Sequence, residues 1–65
     1  MTDELIRTIF INIVQGLNNH GSFLTNFGKT IITSDLENFN LLRDVTIEII
    51  EKYNLNQKPY TEEVG

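Results

Sequence analysis

The residues able to do chemistry are few in this chain. A single histidine, His20, stands near Ser22, and there is no cysteine. Serine, histidine and an acid are the parts of a nucleophilic triad, and Ser22 or Ser34 could be paired with His20 and any of several carboxylates. Nothing in their spacing selects such a set. His20 belongs to the segment Asn18-Asn19-His20-Gly21, whose residue types mark a turn, and a solvated polar side chain is the ordinary reading there. Asp35 and Glu37 suggest a carboxylate pair, but i, i+2 spacing points them to different sides of a helix. Without thiolates and with one imidazole, neither a zinc site nor a histidine-rich metal site can be assembled. Phosphate-cradling, dinucleotide-binding, zinc-protease and EF-hand motifs are all missing from the sequence. The expectation is a protein that is not an enzyme and uses no cofactor.

Charge narrows the partners. Nine acidic residues against five basic ones give a net charge of −4. Arg7, Lys29, Arg43, Lys52 and Lys58 are scattered, whereas neutralising phosphates needs clustered Lys and Arg. Direct nucleic-acid binding is therefore not expected. No apolar run approaches the ~18 residues of a membrane span. The N-terminus, with Asp3 and Glu4, does not resemble a signal peptide, so a cytoplasmic location and no membrane partner are expected.

Three apolar stripes of helical period must position whatever function exists. Leu5, Ile6, Ile9, Phe10, Ile13, Val14 and Leu17 predict a first helix over Thr2 to Leu17, capped by Thr2 or Asp3, with Asp3 and Arg7 at i, i+4. The β-branched content of Ile6 to Val14 also suits a strand, but Ile9-Phe10-Ile11 breaks strict alternation. Asn18 to Gly21 supplies the stop. Ser22 can cap a second helix, ending near Thr33, with Phe23, Leu24, Phe27, Ile31 and Ile32 on one face. Gly28 inside it points to close packing against another helix.

Ser34-Asp35-Leu36-Glu37 has the form of a capping box, serine at the cap and glutamate three residues on. Leu36, Phe39, Leu42, Val45, Thr46, Ile49, Ile50 and Tyr53 follow as the apolar face of a third helix. Their stripe drifts between its halves, which allows a break near Leu41 to Asp44. Glu48 and Lys52 stand at i, i+4. From Asn54 the chain turns polar and meets Pro59, so the ordered domain is placed at residues 1–55 and a flexible tail at 56–65, with Leu55 and Tyr60 as the groups able to dock back. The expected fold is all-α: a small three-helix bundle with a loose C-terminal tail.

A helix-turn-helix reading fails on chemistry. The candidate recognition helix opens with Asp35 and Glu37, not with the basic and amide side chains that read DNA.

Small chains are short of core, burying only about 60% of the surface exposed when unfolded. Disulfides and metals are excluded, so association is the remaining support. Ile11 and Ile47 fall off the apolar stripes of their helices, and with Leu41 they are candidate interface positions. Ordinary exposure of a lone isoleucine is the alternative. The expected function is a non-catalytic protein–protein interaction module, homo-oligomeric or bound to another protein. The second reading is an acidic inhibitor that occupies a basic, nucleic-acid-binding surface of a partner through Asp35, Glu37, Asp44, Glu48 and Glu51.

The segments Phe23-Leu24-Thr25-Asn26-Phe27-Gly28, Ser34-Asp35-Leu36-Glu37-Asn38-Phe39-Asn40-Leu41-Leu42-Arg43 and Glu51-Lys52-Tyr53 resemble short uncharacterised helical proteins of tailed bacteriophages. The resemblance covers about half the chain. It implies a context in which small acidic helical proteins bind a host or viral protein, and it carries no functional residue with it.

Overall fold

A buried set of isoleucines on the first helix organises the molecule. The computed structural model describes residues 1–17 and 20–63 and contains three helices in the order α1 (Asp3–Val14), α2 (Ser22–Thr33) and α3 (Leu36–Lys52). No strand occurs among the described residues. The protein is an all-α three-helix bundle. Ile6, Ile9, Phe10 and Ile13 of α1 meet Leu24 and Ile31 of α2 and Phe39 and Ile50 of α3 in one core. The segment Ile6 to Val14 is thus helical, its face set by the 3.6-residue period and not by β-branching.

Thr2 caps α1, its Oγ1 accepting from the Leu5 amide at 3.1 Å, with Asp3 and Glu4 at the positive end of the helix dipole. The helix stops at Val14, earlier than the apolar stripe implies, because Gly16 takes a left-handed backbone with φ 93°. The Gly16 amide donates to the Ile13 carbonyl and the Leu17 amide to the Asn12 carbonyl, a Schellman termination. Leu17 then packs against the core from beyond the helix end. The stop expected at Asn18-Asn19 lies outside the described residues.

Close approach of α1 and α2 depends on Gly28. A Cβ built there would lie 2.9 Å from Val14 Cγ2 and 3.3 Å from Phe10 Cδ1. The Phe10 ring meets the Phe27 ring edge-on, with centroids 5.6 Å apart.

Two expected caps move by one residue. Ser22 is the first residue of α2, and the cap position is Gly21, which makes no side-chain cap hydrogen bond. Ser34 is not the cap of α3; it closes α2, its Oγ donating to the Ile31 carbonyl at 2.7 Å. Asp35 caps α3, its Oδ1 accepting from the Asn38 amide at 2.8 Å. Aspartate is as good a cap as serine. With only two residues between α2 and α3, the serine hydroxyl serves the carbonyl behind it. Glu37 becomes an acid in the first turn instead of half of a capping box.

α3 runs unbroken for 17 residues, so the break allowed near Leu41 to Asp44 does not occur. It ends as α1 does. Asn54 is left-handed with φ 56°, its amide donates to the Glu51 carbonyl and the Leu55 amide donates to the Ile50 carbonyl. Leu55 is fully buried as a result.

The chain beyond Leu55 is not loose where it is described. Tyr60 is buried in the core, and the Asn12 side-chain amide donates to the carbonyls of Tyr60 and Glu62 at 2.7 and 2.8 Å. The Glu62 amide returns to the Pro59 carbonyl at 3.1 Å. A polar composition had suggested fraying, but one aromatic anchor and one buried-side amide hold the segment on α1.

Candidate functional site

The outer face of α3 brings together more exposed apolar surface than any single stripe of the sequence implies. Phe39, Thr46 and Ile50 form its buried face, with Leu42 and Ile47 packed against the core beside them. A second row runs along the other side at i, i+4, i+8, i+12: Leu41, Val45, Ile49 and Tyr53. Leu41 is 74% exposed, Val45 50% and Tyr53 41%, whereas Ile49 between them is partly buried and, like Leu42 and Ile47, packs against the core. The drift that suggested a break is therefore two stripes on one continuous helix, one inward and one outward.

Phe23 of α2 extends this ridge. It is 55% exposed, its ring lies 6.3 Å from Tyr53 and it stacks on Phe27 at 6.0 Å. The Lys52 ammonium lies over the Tyr53 ring at 5.3 Å from its centroid. Leu36, also exposed, sits in the first turn of α3 away from the ridge.

Carboxylates border the ridge along one side and at its N-terminal end. Glu37, Asp44, Glu48 and Glu51 are all exposed, at i, i+7, i+11 and i+14, which at about 100° per residue keeps them within about 60° of one another around the helix. Asp35 is exposed too, but its carboxylate is engaged in capping Asn38.

The sequence-derived interface positions separate. Leu41 stands on the ridge. Ile47 packs against the core, on the opposite side of α3. Ile11 is partly buried beside Thr8, Gln15 and Glu63, where the C-terminal segment passes α1. The apolar periodicity places Val45 and Tyr53 in the buried stripe; their spacing from Leu41, i+4 and i+12, is the signal that sets them outside it.

The remaining chemistry-bearing groups make contacts within the fold. His20 is partly buried, and its Nε2 shares a hydrogen bond of 2.6 Å with the Tyr60 hydroxyl, the rings 5.2 Å apart. It is thus a clasp for the C-terminal segment and not a solvated turn residue. Asp3, at i, i+4 from Arg7, instead pairs with Arg43 at 2.8 Å, and Arg43 also donates to the Met1 carbonyl. The Arg7 guanidinium lies 4.3 Å from the Phe39 ring centroid. Among the described residues, no three of His, Asp and Glu converge on a metal position, and no helix is long and apolar enough to cross a membrane.

Fold and surface together define the class: an all-α three-helix bundle bearing an outward apolar ridge with an acidic border. Comparison with protein-family models, curated proteins and solved structures finds no match.

Proposed function

We propose that this chain is a non-catalytic protein–protein interaction module and that the outward ridge of α3 is its contact face. The observation that carries the reading is the exposed run Leu41, Val45, Tyr53 and Phe23. Single exposed apolar side chains are ordinary, whereas contiguous ones rimmed by charge mark contact surfaces. Fully burying a wholly exposed side chain of this kind contributes about 1.5–3 kcal/mol, and the half-exposed Val45, Tyr53 and Phe23 each add roughly half of that. Two of the grounds for self-association weaken: Ile47 packs against the core, and Leu55 and Tyr60 enlarge that core. A cytoplasmic location belongs to the same proposal.

Photo-crosslinking tests the face. A crosslinker placed at 41 or 45 should give a discrete polypeptide adduct, and one at exposed Lys29 of α2 should not. Equal, diffuse labelling from all three positions would remove the assignment.

The acidic border supports a second reading, an inhibitor covering a basic, nucleic-acid-binding surface through Glu37, Asp44, Glu48 and Glu51, with Asp35 beside them. Steep loss of affinity with salt favours it, and salt-insensitive binding favours an apolar contact.

A further inference from the structure

We infer that the occupant of the α3 ridge is a basic amphipathic helix of another protein and not a second copy of this chain. The inference rests on α3 being the contact face and adds the chemistry of what covers it.

Rows at i, i+4 are the ridges that helices use to pack against one another, and an amphipathic helix lays its apolar stripe along such a surface. Leu41, Val45, Ile49 and Tyr53 form that row over most of a 17-residue helix, about 25 Å at 1.5 Å per residue. A partner helix of three to four turns, roughly the usual length in proteins, covers it.

Charge selects among helices. The border residues Asp44, Glu48 and Glu51 sit on one side of the row, Glu37 stands at its head four residues before Leu41, and all four are exposed. Among the described residues of α3, Lys52 is the basic residue beside them, and its ammonium rests on Tyr53. A partner with Lys or Arg along one flank of its apolar stripe would meet this border with opposite charge.

A second copy does not supply the opposite charge in either two-fold arrangement. Two-fold pairing of antiparallel α3 helices places both acidic borders on the same side of the seam, where like charges repel. Parallel pairing sets each border against the side of Asn38 and Phe23, which carries no charge at those positions.

The probe is a labelled synthetic helix of Leu and Lys, with Leu at i, i+3, i+4 and i+7. Controls are its Leu/Glu counterpart and a Leu/Lys peptide of the same composition with the leucines scattered around the helix. Fluorescence anisotropy gives affinity, and amide NMR shifts give location. The amphipathic Leu/Lys peptide should bind with shifts centred on Leu41, Val45, Ile49 and Tyr53. Leu41→Ser should weaken it roughly tenfold, and Asp44→Asn with Glu48→Gln should flatten its salt dependence. These side chains are exposed, and circular dichroism checks that each variant keeps its helices. Equal binding of the Leu/Glu or the scattered peptide overturns the inference but leaves the contact face. A protein that sediments alone as a dimer, with Leu41→Ser restoring the monomer, also overturns it and assigns the ridge to a second copy. A monomer whose α3 amides shift with no peptide overturns the inference, and the contact face then stands or falls by the crosslinking at 41 and 45.

Discussion

The side-chain amide of Asn12 donates to the Tyr60 carbonyl at 2.7 Å, joining residues 48 apart in sequence. It also donates to the Glu62 carbonyl, so one side chain on α1 holds the C-terminal segment by two hydrogen bonds. Tyr60 completes the attachment through its buried ring and its hydroxyl contact with His20.

We expect Asn12→Ala to cost about 0.5–1.5 kcal/mol for each of the two hydrogen bonds lost, toward the lower end for the exposed one to Glu62. Amide hydrogen exchange should rise at Thr61 and Glu62, whose amides are bonded within the segment, more than in the middle of α1. Unchanged exchange there would show that Tyr60 burial alone holds the segment.

Gly28→Ala sets two effects against each other. Alanine gains about 1 kcal/mol of helix propensity, but its Cβ would lie 2.9 Å from Val14 Cγ2. Valine is stiff at χ1, so α1 and α2 must separate, at about 1–3 kcal/mol. A net loss is expected in urea melts. Adding Val14→Ala should recover part of it, a non-additivity diagnostic of direct contact. Equal losses in both backgrounds would place the strain elsewhere.

The caps give a third expectation. Asp35→Ala removes the acceptor for the Asn38 amide and should cost about 0.5–2 kcal/mol. Ser34→Ala removes a hydrogen bond to the Ile31 carbonyl and should cost about 0.5–1.5 kcal/mol, without shortening α3. Glu37→Ala should change stability little. Loss of the Glu37 amide's protection in Ser34→Ala, with the Asn38 amide unchanged in Asp35→Ala, would restore the serine cap.

The helices were legible in the sequence because each carries an apolar stripe longer than its turns. Their ends were less so. Leu17 continues the α1 stripe at i+12 yet lies beyond a glycine that ends the helix, and Leu55 follows Asn54 in the same way. Both leucines are apolar residues read as helix or tail when they are the closing contacts of Schellman turns. The docking of Tyr60 on Asn12 has no local signature, since its partners are distant in sequence. On α3, the sequence offers Leu41 as a candidate interface position but places Val45 and Tyr53 in the inward stripe. A helix apolar on two sides offers two stripes, and periodicity alone does not say which faces inward.

The last expectation separates those two sides by stability. Ile47 packs against the core and Leu41 is 74% exposed. Ile47→Ser should therefore cost about 1–3 kcal/mol, somewhat less than truncation of a fully buried isoleucine. Leu41→Ser and Val45→Ser should each stay within about 0.5 kcal/mol, and neither melt should depend on protein concentration if the free chain is a monomer. The same Leu41→Ser substitution that leaves folding untouched should abolish crosslinking through position 45. A destabilising and concentration-dependent Leu41→Ser would mean that this leucine is already covered in the free protein, by a second copy.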